Sequence, residues 1–115
     1  MADKEKEKEG KERPDGRRRA NLIHAISQPL RRRILRVFAA WGEPTSPAKI
    51  AKELDLPVGM VGYHVRVLHE FDAVEPTGEQ MVRGAVEHFY ASTIEDDPPI
   101  ETLLEETRDV DEEDE

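Results

Sequence analysis

A winged helix-turn-helix, mainly α with one small β-hairpin, is the fold class that this 115-residue sequence predicts, and three observations predict it. Apolar residues recur at helical spacing over residues 29–41, 47–54 and 58–71. Only about three residues separate the second stretch from the third, the spacing of a helix-turn-helix. Beyond them the composition shifts to the Val, Phe, Tyr and Thr that favour strands, broken by a turn signal.

Leu30, Ile34, Val37, Phe38 and Trp41 fall on one side of the first main helix; Pro29 suits its first turn and Gly42 ends it. Leu22, Ile23 and Ile26 add a helical turn or two before Pro29. Ser46 and Pro47 form an N-cap and first-turn pair, and Ile50, Ala51 and Leu54 complete a short second helix. The third helix, Val58 to Phe71, follows Leu56 and Pro57 at once. Val61, His64, Val65 and Leu68 share its inner side, whereas Gly59, Gly62, Tyr63, Arg66 and Glu70 share the outer one. A glycine inside a helix costs about 0.8 to 1 kcal/mol relative to alanine, so this pair implies that another molecule approaches the backbone there. Val74 and Glu75 then open a strand, and Pro76, Thr77 and Gly78 signal a turn, placing the wing tip over Thr77 to Gln80. MVRGAVEHFYAST supplies the return strand, its alternation imperfect around Gly84 and Ala85.

Charge divides the chain in three. Residues 1–19 hold 8 basic and 6 acidic side chains, residues 20–94 hold 8 of each, and residues 95–115 hold 1 basic and 12 acidic. The net charge of −9 therefore belongs to the C-terminal tail and says nothing against nucleic acid as a partner of the neutral core. The expected organisation is a charged tail over 1–20, disordered or a frayed helix, then a winged helix-turn-helix domain over 21–94 and an acidic tail over 95–115. In that last tail Ile100, Leu103, Leu104 and Thr107 have helical spacing and Asp97 is placed to cap them. A short helix docked on the domain or on a second subunit, and a disordered tail, are both compatible with it.

Cysteine is absent, which removes disulfides, thiolate metal sites and cysteine nucleophiles. His24, His64, His69 and His88 lack ligand-like spacing, so neither a metal nor another cofactor is expected. No nucleophile and base stand at a recognisable spacing, no glycine-rich phosphate loop is present, and the core is too short for a substantial pocket. The chain reads as a non-enzyme with no small-molecule ligand evident. No apolar run approaches transmembrane length, so a soluble cytoplasmic protein without a membrane partner is expected.

PLRRRIL (29–35), TSPAKIAKELDL (45–56), VGYHVRVLHEFDAV (61–74) and VRGAVEHFYA (82–91) resemble the ArsR-type winged helix-turn-helix transcription regulators. The third helix carries the most specific part, with Val61, His64 and Leu68 matching that family's framework. The resemblance implies a homodimeric repressor that binds double-stranded operator DNA, with the third helix in the major groove and the wing beside it. Gly59, Gly62, Tyr63, Arg66 and His69 would then face the DNA, with Arg66 on a guanine edge or a phosphate. Such proteins usually carry small polar residues where Gly59, Met60 and Gly62 stand, so shape and backbone contacts are expected to outweigh a dense base code. Glycine is usual where Asp55 and Asp72 stand, and aspartate tolerates the left-handed backbone those turns require. Metal-sensing relatives carry cysteine groups in the third helix or Asp/His sets in a terminal helix, and neither is found here.

Arg31 and Arg32, with Arg33 and Arg36, make the densest basic group of the core. One or two are expected to reach phosphate while the others pair with core or tail carboxylates. Arg83, just after the expected wing tip, would touch the minor groove or a phosphate, or else pair across the strands with Glu75. Glu79 at that tip would repel phosphate. His64 is expected to be packed and bonded to backbone. Apolar residues before Pro29, together with those of the C-terminal helix, would make the dimer contact. The alternative function is a winged-helix protein-interaction module with little DNA binding, favoured by the glycines, the acidic wing tip and the tail. An autoinhibitory variant joins the two, in which the tail folds onto Arg66 and the first-helix arginines as an internal mimic of DNA.

Overall fold

The computed structural model describes residues 16–113. Helices α1 (Gly16–Ala25), α2 (Pro29–Trp41), α3 (Pro47–Leu54) and α4 (Val58–Glu70) lead into strands β1 (Val74–Val82) and β2 (Ala85–Ser92). A 3-10 turn over Ile94–Asp96 then precedes α5 (Pro98–Glu106) and α6 (Arg108–Glu113). Asp55, Leu56 and Pro57 alone link α3 to α4, and the hairpin follows directly: the fold is a winged helix-turn-helix. No helix among the described residues is long and apolar enough to cross a membrane.

The helix ends follow from their residues. Gln28 accepts from the Arg31 N–H at 3.1 Å at the start of α2, and Gly42 closes that helix at φ 67°. Ser46 Oγ accepts from the Lys49 N–H at 3.3 Å at the start of α3. Asp55 (φ 58°) and Asp72 (φ 68°) both adopt the left-handed backbone, as expected of them. The apolar sides converge on one core: Ile34, Leu35 and Phe38 of α2, Ile50 of α3, and Val61, Val65 and Leu68 of α4 are all buried.

The first correction concerns where order begins. Helix α1 starts at Gly16, inside the 1–20 stretch expected to be disordered or a frayed helix; residues 1–15 lie outside the described residues. Arg19 Nε donates to the buried Asp97 carboxylate at 2.7 Å, and Leu22 and Ala25 are fully buried, so this segment is held at both ends. Leu22 and Ile26 are spent on the core, which leaves Ile23, 49% exposed, as the apolar residue before Pro29 that faces outward.

The second concerns the wing. Strand β1 runs unbroken through the expected turn, and the irregularity at Pro76–Gly78 is a bulge in register. The reversal falls at Arg83–Gly84, where φ is 54° and 81°; Val82 and Ala85 flank it as a pair. Two successive left-handed residues are what a two-residue hairpin loop of matching twist requires. Glu79 thus sits within the strand opposite His88, not at the tip, and Glu75 pairs with Ala91, far from Arg83. The base of the wing is tied to the helices: Thr45 and Tyr90 exchange backbone hydrogen bonds of 2.9 and 2.8 Å, and Ser46 Oγ donates to the Glu87 carboxylate.

Of the two readings open for the tail, the structure shows the helical one. Ile100 and Leu104 of α5 are buried in the core and Leu103 is exposed, so the segment docks on its own domain. Asp97 precedes α5 without a side-chain cap bond: its Oδ2 accepts from Arg19, and its Oδ1 is buried without a hydrogen-bond partner.

Candidate nucleic-acid interface

Helix α4 opens on Pro57, which offers no side-chain cap, so the N–H groups of its first turn lack the partner that Gln28 and Ser46 supply to α2 and α3. Its outer face is bare. A Cβ built on Gly59 would meet nothing within 4 Å, and one on Gly62 would meet only Arg66 Nη1 at 3.8 Å. Tyr63 (55% exposed) and Arg66 stand on the same face. The structure therefore brings Gly59, Gly62, Tyr63 and Arg66 together on one exposed surface. Val58, Gly62 and Arg66 also form one wall of a groove of about 440 Å³, with Val86 and Tyr90 of the wing across it.

His69 is exposed near the end of α4, its ring 6.3 Å from that of Tyr90. It lines a depression of about 650 Å³ with Arg18, Asp72, Glu75 and Asp96, so it shares an acidic surrounding with no member of the glycine face. Arg83 is exposed at the wing tip itself.

Arg31 and Arg32 are both engaged within the chain, Arg32 on a tail carboxylate as expected of some of this group. Arg31 is 9% exposed and donates through Nε to the Ala25 carbonyl at 2.7 Å and through Nη2 to the His24 carbonyl at 3.2 Å, closing the end of α1. Burial pulls its guanidinium below the usual arginine range, against an opposite pull from Tyr63. Arg32 donates to the Ile26 carbonyl at 2.7 Å and to both oxygens of Asp111, at 2.8 and 2.6 Å. Helical spacing that spreads four arginines around α2 necessarily turns some of them inward, where carbonyls at the end of α1 and a tail carboxylate take them.

Two of the tail's carboxylates, Asp97 and Asp111, lie on arginines of α1 and α2. Asp111, whose side chain is fully buried, stands 2.8 Å from Arg36 as well, and Arg36 also donates to the Leu104 carbonyl and to Thr107. Among the described residues no carboxylate pairs with Arg66, so the structure gives the tail a strap's role and not that of a DNA mimic on that side chain.

His64 is half-buried under the outer face, its ring 5.1 Å from that of Tyr63. Its Nδ1 is buried with no hydrogen-bond partner, contrary to the backbone bond expected. Burial first, then the nearby charge of Arg31, lowers its pKa below the ordinary histidine value. Among the described residues no three His, Asp or Glu side chains stand close enough to hold a metal ion. Two cations were passed over: Lys49 and Lys52 are exposed on α3, Lys49 Nζ lying 5.5 Å over the Phe89 ring. Their signal is the i, i+3 spacing on the helix that precedes the recognition helix and crosses the backbone in such folds.

Residues 26–77, from the end of α1 through α4 to the start of the wing, match the family model described as a helix-turn-helix domain. The fold is that of a solved ArsR family transcriptional regulator, with a TM-score of 0.54 and 19% identity over 81% of this chain and 89% of that one. Together the two findings give a helix-turn-helix domain within a shared fold. No curated protein matches the chain.

Proposed function

We propose that this chain is a homodimeric, cytoplasmic transcription regulator, a repressor, that binds double-stranded DNA without a metal. Helix α4 enters the major groove, and the Arg83–Gly84 tip reaches the flanking backbone or minor groove. The observation that carries this is the exposed face of Gly59, Gly62, Tyr63 and Arg66 on the last helix of a helix-turn-helix domain. Glycine there lets the helix backbone approach the duplex, and the uncapped first turn offers N–H groups to phosphate. Lys49 and Lys52 on α3 are placed for the adjacent backbone. Ile23, Leu103 and Val110, all exposed, supply apolar surface for the second copy.

The test is binding of the full chain to the DNA upstream of its own coding region, against scrambled DNA, at two salt concentrations. Preferential binding that weakens steeply with salt and drops about tenfold in Arg66→Ala supports the proposal. Binding that is absent at low salt, or indifferent to sequence and to Arg66, overturns it.

A further inference from the structure

The exposed positions in the first two turns of α4 are mostly apolar. Val58 is 55% exposed, Met60 44% and Tyr63 55%, with the open Gly59 between them. The sequence of α4, VGMVGYHVRVLHE, contains no Asn, Gln, Ser, Thr or Lys, the residues that most often hydrogen-bond to base edges alongside arginine. Arg66 is left to supply the charged donor. Val58 and Met60 stand about 160° apart around the helix, one on each side of Gly59, so a helix that met the groove with its glycine face would set an apolar side chain against base edges on either flank of its N-terminal end, the part of a recognition helix that reaches deepest.

The major-groove edge of a base pair offers one apolar group only, the C5 methyl of thymine; the others are donors and acceptors. An apolar side chain over an amino or keto group strips water from it and returns no hydrogen bond. Over a thymine methyl it buries apolar surface on both partners. Gly59 and Gly62 add reach, because without side chains they let the helix settle close enough for Val58 and Met60 to make that contact.

Resting on the DNA-binding proposal, we infer that α4 reads thymine methyl groups through Val58 and Met60, so that its sites are specified by thymine at fixed positions with Arg66 supplying the polar contact. The occupant is taken to be a duplex and not a protein because the exposed Arg66 stands in one groove with Val58 and Gly62, on the last helix of a helix-turn-helix domain.

The experiment uses the full-length chain and a duplex recovered by selection from a random DNA library. Each thymine in the protected region is replaced in turn by deoxyuridine, which removes the methyl and keeps the base pair. At one or two positions in each half-site the wild-type chain should lose affinity about fourfold, the factor that corresponds to burying one methyl-sized group. Met60→Ala, at an exposed position that leaves the core intact, should bind more weakly and lose that penalty at its own position. Selective binding to the recovered duplex with no penalty at any uridine overturns thymine reading while leaving DNA binding in place. Failure to recover any preferred duplex overturns the DNA-binding proposal itself, and the inference with it, and turns the apolar face toward a protein partner.

Discussion

Arg32 and Asp111, 79 positions apart in sequence, meet in a two-point pair: Arg32 Nε reaches Oδ2 at 2.8 Å and Nη2 reaches Oδ1 at 2.6 Å. Arg36 closes on the same carboxylate, whose side chain is fully buried. Carboxylates taken from water by two guanidiniums are little screened by salt, unlike ion pairs on the surface.

Asp111→Asn should therefore destabilise the chain by roughly 3 kcal/mol, because it leaves two inward-facing arginines short of a counter-charge. The Asp111 carboxyl is held below the usual aspartate range, chiefly by the Arg32 hydrogen bond, with burial opposing and Arg36 assisting. Its contribution is complete above about pH 4, the unfolded value, and is lost as pH falls through the lowered folded one. Urea unfolding between pH 7 and pH 3 checks both; a variant as stable as the parent at pH 7 would sink the strap.

His64 should extend the same acid-side loss of stability to a higher pH than Asp111 does. Its folded pKa is lowered by burial and then by Arg31, so the unfolded chain takes up a proton first as pH falls below about 6.5. Stability is full above that value, declines as pH falls through it, and levels off below the folded pKa. Unfolding midpoints at pH 7.5 and 5.5 should differ more for the parent than for His64→Gln, and equal differences refute the assignment.

Gly62→Ala should raise stability by about 0.8 kcal/mol, since alanine favours the helix and its Cβ would meet only Arg66 Nη1 at ordinary contact distance. If the glycine serves close approach to DNA, the same change should weaken DNA binding. Thermal unfolding and DNA titration of one variant separate the effects; a more stable protein that binds DNA as well as before would show that the glycine is not needed for approach.

At the wing tip, Arg83→Asn should stabilise the hairpin by a few tenths of a kcal/mol, on the order of 0.5, because asparagine accepts the left-handed backbone better than arginine and Asn-Gly favours this loop. Gly84→Ala should cost about 1 kcal/mol at φ 81°. If Arg83 touches DNA, the stabilised Arg83→Asn chain should bind more weakly, and unchanged affinity would remove the wing tip from the interface.

Much of this architecture was legible in the sequence. Pro29, Gly42, Ser46 and Pro47 mark the ends of α2 and the start of α3 by their own backbone chemistry, and the 3.6-residue period of Val61, Val65 and Leu68 fixes the inner side of α4. The wing was misplaced because Pro76 and Gly78 are turn residues by type, yet in an edge strand both fit a bulge. Arg83 hides the real loop, since arginine is seldom found at positive φ; the broken alternation at Gly84 was its trace. Arg31 and Arg32 were harder to place for another reason. Their exposure depends on carbonyls at the end of α1 and on a carboxylate far along the chain, neither visible from local spacing.

The pairing of residue 32 with residue 111 also sets an order of assembly. The helix pair α3 and α4 touch across a three-residue link, and the hairpin closes on two residues, so both can form from neighbours in sequence. The strap must bring together positions 79 apart, a loop whose closure has to wait until the rest has collapsed. It is the piece to form last and to open first, and amide hydrogens of α5 and α6 should exchange ahead of those in α4. A molecule whose C-terminal segment has briefly lifted away would still present its glycine face intact.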